Sequence, residues 1–344
     1  MKPPVLFVLL CLASVVSAQQ PAKTAAAPSA DPYQAAVEKL KNEDPMIRRQ
    51  GASALGQLRR PQAAEHLLQL LADSNAFVRS AAADALGLIR AGQAVGPLTQ
   101  LLVSDKDSSV RQSAVTALAY LGDPSSSEAL VKALSDEAPG VRYAAVRTLG
   151  ALRASSAAPA IMQALSDSDA GMRRSAAAAL GQLQSKESLP ALQGLLSDAD
   201  LNVRSEAVKA MGAIADPQSL PALTKALSDS EALVRLQAAR ALGALGDASG
   251  LPTAVGALGS GEASVRVQAA AVLSLIGDEK TALPALAAAS TAEKDPAIRS
   301  ALDSARGQLK ARLGIKDEGV PEKAVDTPAA KPAKAAKTGR KPAK

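Results

Sequence analysis

Residues 155–183 read SSAAPAIMQALSDSDAGMRRSAAAALGQL and contain one complete repeating unit of the chain. A short apolar segment comes first, a turn rich in serine and aspartate follows, and an alanine-rich segment ends the unit. Serine and aspartate favour helix caps and turns, so the polar stretch separates two helices. We predict a first helix over residues 155–165 and a second helix over residues 170–183.

The second helix of this unit has one apolar face. Met172, Ala176, Leu180 and Leu183 are separated by steps of 4, 4 and 3 residues, which is the spacing of one side of an α-helix. The same face recurs in the next two units, as Val203, Ala207, Met211 and Ile214 and as Val234, Ala238, Leu242 and Leu245. The aromatic content is 1%, so the core must be built from alanine, leucine and valine.

The unit occurs nine times, each time around an arginine that follows an apolar residue. Successive arginines are 31, 32, 31, 31, 31, 31, 31 and 33 residues apart: Arg48, Arg79, Arg111, Arg142, Arg173, Arg204, Arg235, Arg266 and Arg299. A constant period of this size indicates stacked helical units, none of which buries its apolar face alone. The predicted fold class is therefore all-α.

An acidic residue stands six positions before most of these arginines: Asp73, Asp105, Asp136, Asp167, Asp198, Asp229 and Glu293. Asn42 and Ser260 occupy the two remaining positions. A glycine comes eight residues after seven of the arginines: Gly56, Gly87, Gly150, Gly181, Gly212, Gly243 and Gly307. Since glycine weakens a helix, we expect these positions to lie where another helix approaches closely.

The phrase from Val141 to Gly150, with Asp136 six residues before Arg142, resembles a HEAT repeat, in the short variety named after the phycobilin lyases. The resemblance implies a right-handed α-solenoid of about nine HEAT-like helix pairs over residues 32–314. It also implies a ladder in which each arginine binds the aspartate of an adjacent unit, and a concave surface lined by the second helices.

The first residues have the pattern of an export signal. Lys2 precedes the apolar run Val5–Val16, which is too short to span a bilayer, and small residues lead up to Ala18. We predict a signal peptide over residues 1–18 and a flexible linker over residues 19–31. The expected location is therefore outside the cytoplasm, either periplasmic or extracellular.

The only cysteine, Cys11, lies within the predicted signal peptide. Acylation of Cys11 would make the protein a lipoprotein, but Leu10 is larger than the residue usually found before such a cysteine. After cleavage the chain would contain no cysteine and no further segment apolar enough to cross a membrane.

The end of the chain is rich in lysine, alanine and proline. Residues 315–344 cannot supply a core, so we predict a disordered basic tail. Its last residues carry six basic and no acidic side chains, at Lys331, Lys334, Lys337, Arg340, Lys341 and Lys344. Such a tail suits an anionic envelope polymer or lipid head groups, or serves only for solubility. Export argues against a nucleic acid as its partner.

The chain offers little for catalysis. His66 is the only histidine, and no phosphate-binding loop, catalytic triad or metal-ligand motif is present. We predict no cofactor, no metal site and no enzymatic activity of its own. The activity of the phycobilin lyases is not expected here, because those enzymes act on cytoplasmic proteins.

The predicted partner-binding surface is the solvent side of the second helices, one and five residues after each arginine. Basic residues are frequent there, and two larger apolar residues are expected to act as anchors. The candidates are Arg49, Tyr143, Arg147, Arg174, Lys209, Leu236 and Arg240.

We therefore predict an exported scaffold or adaptor that holds a protein partner on the concave face. One alternative is an enzyme regulator or lyase-like subunit that uses the same groove. A second is a binder of anionic polymer that acts through the basic tail. An ordinary solvated surface without a partner also remains open for the concave face.

Overall fold

A computed structural model describes residues 31–315. The predicted signal peptide, nearly all of the linker and the basic tail lie outside these residues and remain predictions. The described part forms eighteen α-helices and no β-strand: α1 (Pro32–Lys39), α2 (Pro45–Leu58), α3 (Ala64–Leu70), α4 (Ala76–Leu88), α5 (Val95–Ser104), α6 (Ser108–Leu121), α7 (Ser127–Ala133), α8 (Pro139–Ala151), α9 (Ala158–Gln163), α10 (Ala170–Leu183), α11 (Leu189–Gly194), α12 (Leu201–Ile214), α13 (Leu220–Ala226), α14 (Ala232–Ala244), α15 (Leu251–Ala257), α16 (Ala263–Ile276), α17 (Ala282–Ala292) and α18 (Pro296–Leu313).

The helices follow each other as nine pairs, which confirms the predicted all-α solenoid. In the fifth pair, α9 is flanked by 3-10 turns at residues 155–157 and 164–166, and α10 covers the predicted range. Asp169 begins α10, because its carboxylate accepts a hydrogen bond from the backbone N–H of Gly171 at 2.9 Å.

The second helices form a continuous row. Each even-numbered helix packs directly against the even-numbered helix of the next pair, whereas the odd-numbered helices touch one another much less. Closer packing on one side bends a stack toward that side, so we infer that the even-numbered helices form the concave wall. Met172, Ala176 and Leu180 are buried, as the periodicity predicted.

The repeated glycines allow this close packing. A β-carbon added to Gly181 would lie 2.9 Å from the α-carbon of Ala210 on the next second helix, and Gly56 and Gly87 are equally close to theirs. The prediction is wrong for Gly307, where an added β-carbon would meet nothing within 4 Å. Gly307 lies on α18, the last helix of the described residues.

Arginine–carboxylate contacts join successive units into a ladder. In a typical rung, Nη1 of Arg204 donates to the backbone oxygen of Asp198 in its own turn at 3.0 Å. Nε and Nη2 of the same arginine donate to the two carboxylate oxygens of Asp229 in the next turn, at 2.8 and 3.0 Å. The rungs are Arg48–Asp73, Arg79–Asp105, Arg111–Asp136, Arg173–Asp198, Arg204–Asp229 and Arg266–Glu293.

These rungs are largely shielded from solvent and affect the charge of their members. In the Arg204–Asp229 rung the arginine side chain is 12% exposed and the aspartate side chain 11%. The hydrogen bond from Arg204 lowers the pKa of Asp229, as that from Arg173 lowers the pKa of Asp198. The carboxylates therefore stay ionised within the stack.

Two junctions within the described part lack a carboxylate rung. Arg142 donates to backbone oxygens of its own turn but forms no ion pair with Asp167, so the ladder predicted from the sequence is wrong at this position. Arg235 likewise donates only to its own turn, because Ser260 stands where other units have an acid.

We predict that Arg204→Leu lowers the free energy of unfolding by about 2 kcal/mol more than Arg235→Leu. Both changes release two carbonyl groups of the arginine's own turn, but only Arg204→Leu also leaves a shielded carboxylate without its cation. Urea denaturation followed by circular dichroism measures the difference. Equal losses in the two variants would contradict a stabilising role for the rung.

Candidate functional site

A wide opening on the concave wall lies across the middle of the stack. It has a volume of about 740 Å³, and we call it the central cavity. Helices α6, α8, α10 and α12 contribute its lining: Thr116, Ala119, Tyr143, Ala144, Arg147, Thr148, Ala151, Arg174, Ser175, Ala178, Ala179, Gln182 and Glu206. Three of the predicted partner-binding residues, Tyr143, Arg147 and Arg174, are thus brought together.

Tyr143 is held in place across the junction between the fourth and fifth units. Its hydroxyl donates a hydrogen bond to the carboxylate of Asp169, the residue that caps α10. This bond raises the pKa of Tyr143, with burial adding to the effect, and lowers the pKa of Asp169. Only a glycine fits beneath the hydroxyl, because a β-carbon at Gly171 would overlap it.

The two arginines of the central cavity are available for a ligand. Arg147 and Arg174 are exposed, and neither has a hydrogen-bond or ion-pair partner among residues 31–315. The neighbouring hydroxyls are already used: Ser175 donates to the backbone oxygen of Gly171 at 2.8 Å, and Thr148 to that of its own helix at 2.7 Å. The free donors of the cavity are therefore mainly the guanidinium groups.

The sequence analysis did not select the acidic residue that lines the edge of the central cavity. Glu206 lies two residues after Arg204, outside the positions one and five residues after each arginine. Its carboxylate pairs with Lys209, with 3.3 Å between Nζ and Oε2. Lys209, a predicted contact residue, is exposed but partly neutralised by this pair.

A second cavity of about 370 Å³ lies on the concave wall between α2, α4 and α6. It contains the predicted contact residue Arg49 together with Phe77, whose residue is 61% exposed and which the sequence analysis missed. Asp84 retains contact with solvent, but the cavity walls remove part of its hydration and raise its pKa, against a lowering hydrogen bond with Ser113. An arginine, an aromatic ring and a carboxylate thus share this opening.

The remaining predicted contact residues, Arg240 and Leu236, differ in their exposure to solvent. Arg240 is exposed on α14 but lines neither of the two concave cavities. The prediction for Leu236 is wrong: this residue is 1% exposed and belongs to the core. The equivalent residue of the preceding unit, Ser205, is buried too, so the position after the arginine does not face solvent in every unit. The tail candidates lie outside the described residues.

The described residues also bear on metal binding and membrane insertion. No group of three or more histidine, cysteine, aspartate or glutamate residues suited to a metal ion occurs within residues 31–315. His66 lies half-buried beside the ring of Tyr33, with ring centroids 6.5 Å apart. In the same part of the chain, no helix combines the length and apolarity that crossing a membrane requires.

Helix pairs stacked through a tightly packed inner row and an arginine–carboxylate ladder define this protein as an α-solenoid. The family model for HEAT repeats matches residues 24–87, 95–179, 158–235 and 220–306, so the chain belongs to the HEAT repeat family. The model for the PBS lyase HEAT-like repeat matches residues 78–104. A search of curated proteins gives no significant match.

Several solved structures are similar to this chain. An engineered protein is 23% identical, with a TM-score of 0.47, and the match covers 83% of this chain and 91% of the other. YibA of Escherichia coli is 24% identical, with a TM-score of 0.50, and the match covers 74% and 96%. The CpcE–CpcF complex of phycocyanin lyase from Nostoc sp. PCC7120 is 25% identical, with a TM-score of 0.42, over 69% and 97%.

We predict that Asp169→Asn lowers the pKa of Tyr143 toward the ordinary value of about 10, because asparagine keeps the helix cap but not the charge. The Asp169 pKa is depressed, so the contact stabilises the fold fully above about pH 4 and weakens as pH falls. The Tyr143 pKa is raised, so this contribution is present below about pH 10 and is lost as pH rises further.

Carbon NMR of the tyrosine rings, followed against pH, measures the Tyr143 pKa in the wild type and in Asp169→Asn. Tyr143→Phe serves as the reciprocal variant, in which the pKa of Asp169 should rise. An unchanged Tyr143 pKa in Asp169→Asn would show that the carboxylate does not hold the ring.

Proposed function

We propose that this protein is an exported, non-catalytic scaffold that binds an acidic, extended segment of a partner protein across the central cavity. The observation that carries the proposal is the pair of exposed guanidinium groups, Arg147 and Arg174, which adjacent helices present beside the fixed ring of Tyr143. Arginine holds carboxylates through two parallel hydrogen bonds, and a rigid aromatic ring offers contact area at little entropic cost.

The spacing of the arginines suits an extended chain. Packed helices lie about 8–10 Å apart, and Arg147 and Arg174 are on neighbouring second helices. Arg147 is also about one turn further along its helix than Arg174 is along its own, an offset of roughly 6 Å along the helix axis. Combined at right angles with the distance between the helices, this places the two positions about 10–12 Å apart. An extended peptide advances about 3.3 Å per residue, so acidic side chains three or four residues apart would reach both arginines.

The ionisable groups of the central cavity suit binding more than catalysis. A guanidinium group offers only donors and no acceptor, which suits it poorly to act as a base, and Glu206 is paired with Lys209. The raised pKa of Tyr143 keeps its hydroxyl in the neutral form. We therefore place the function in charge recognition and not in proton transfer.

Export is supported by the sequence pattern of residues 1–18. Outside the cytoplasm, the basic tail would tether the solenoid to an anionic surface while the concave wall holds the partner. Amino-terminal sequencing of the protein from its native host tests this part, with a first residue of Gln19 as the expected result. An intact Met1 would exclude cleavage.

The binding function is tested by selecting peptides from a random library displayed on phage, with the wild-type protein immobilised. We expect enrichment of peptides that carry two acids three or four residues apart. The double variant Arg147→Glu/Arg174→Glu should lose at least tenfold in affinity for the selected peptides. The control Lys106→Glu/Lys225→Glu makes the same change of charge at exposed positions outside the central cavity and should retain binding.

Two results would overturn the proposal. The first is a selection that yields no acidic preference. The second is an equal loss of affinity in both double variants, which would indicate a general effect of net charge. Thermal unfolding of all variants checks that the fold is intact.

A further inference from the structure

The junction between the seventh and eighth units contains an arginine without its carboxylate. Nη1 of Arg235 donates to the backbone oxygens of Asp229 and Ser230 at 2.7 and 2.8 Å, as the other anchor arginines do in their own turns. In six other units Nε donates to the acid of the next turn. At this junction Ser260 takes the place of the acid, and residues 31–315 supply no other carboxylate to Arg235.

A cavity of about 480 Å³ lies beside this arginine, and we call it the junction cavity. Arg235 and Ser260 line it together with apolar groups of Leu227, Leu236, Pro252 and Val265. Helices α13, α14, α15 and α16 all border it, so it lies on the turn side of the stack and not in the concave groove. Its walls are apolar apart from the guanidinium, the Ser260 hydroxyl and one threonine.

Three glycines lie in or beside the junction cavity. Gly256, Gly259 and Gly261 stand where the seventh unit has Lys225, Ser228 and Ser230. A β-carbon added to Gly256 or Gly261 would meet nothing within 4 Å, and one added to Gly259 would meet only a backbone oxygen at 3.6 Å. The glycines therefore do not serve close packing, unlike Gly181 and its equivalents.

The buried apolar residues also divide at this junction. One core cluster extends from α1 to α14, and a second begins at Leu236 and Ala239 of α14 and continues to α18. Leu227 packs against both clusters, so the two meet beside the junction cavity. The same place therefore combines a rung position without an acid, three glycines and the boundary between the two apolar clusters.

We propose that the junction cavity binds a carboxylate carried on an aliphatic group. The carboxylate takes the position that aspartate holds in the other rungs and accepts hydrogen bonds from Nε and Nη2 of Arg235. The aliphatic group fills the apolar part of the cavity against Leu227 and Leu236. An apolar pocket with one charged group at its edge favours ligands that combine a group of opposite charge with an apolar group.

Two sources share this chemistry: a free branched-chain monocarboxylic acid and the carboxyl end of a peptide that finishes in leucine. The probes are 4-methylpentanoate for the first source and N-acetyl-alanyl-leucine for the second. Each has a neutral amide as its matched control, 4-methylpentanamide and N-acetyl-alanyl-leucinamide. The site is distinct from the central cavity, so the proposed function does not depend on it.

The test follows the Nε–H resonance of Arg235 by nitrogen NMR in the full chain, with Arg235→Lys used to assign it. We expect a saturable shift with at least one acid, with a Kd in the millimolar range that suits so small a ligand, and no saturable shift with its amide. The decisive variant is Ser260→Asp, which restores the acid of the rung. It should weaken binding of the acid at least tenfold and raise the thermal midpoint of unfolding.

Ser260→Ala is the matched control, since it changes the same residue without supplying a carboxylate, and it should retain binding. Saturation by the free acid but not by the dipeptide identifies a small-molecule site, and the reverse identifies a peptide terminus. No saturable shift with either acid overturns the proposal. So does equal binding of an acid and its amide, or undiminished binding in Ser260→Asp.

Discussion

The fold depends on one repeated interaction, the arginine that binds the backbone of its own turn and the carboxylate of the next. Arg204 does both through the separate nitrogens of a single planar group. Lysine has one ammonium and could not hold two turns in a fixed relative orientation. Because each rung joins neighbouring units, it also sets which helix faces meet and which positions remain on the concave wall.

Both junctions that lack a carboxylate rung contain a cavity. The central cavity spans the Arg142 junction, and the junction cavity spans the Arg235 junction. The cavity around Phe77 crosses junctions whose rungs are formed, so loss of a rung is not required for an opening. The two unpaired junctions arise differently. At Arg235 the acid is absent from the sequence, whereas at Arg142 the acid Asp167 is present. Asp167 accepts the backbone N–H two residues further on, as the acids of the formed rungs do, but it accepts no hydrogen bond from Arg142.

The period, the helix pairs, the buried face and most rungs follow from the sequence, because they rest on residue types that recur at fixed spacing. Features that depend on a particular neighbour do not follow. Gly307 matches the glycine pattern but lies on the last helix of the described residues, where an added β-carbon would meet nothing within 4 Å. Leu236 occupies a position that is exposed at Arg49 and Arg174 but buried at Ser205 of the preceding unit as well as in α14. Phe77 and Glu206 do not stand one or five residues after an arginine, so the pattern used to choose contact residues did not include them. A search of every solvent-accessible position of the second helices would have included both.

Functional residues in such an array are best recognised as departures from the repeat. Residues shared by all units are explained by packing, so they carry no information about a ligand. Tyr143 and Ser260 are departures of this kind. Arg235 is not, because its hydrogen bonds to Asp229 and Ser230 explain why an arginine stands there even without a rung. What its own turn does not explain is the serine at the rung position, which leaves Nε and Nη2 of Arg235 without an acceptor among residues 31–315 beside an open cavity. The proposed carboxylate ligand would supply that acceptor and occupy the space of the junction cavity.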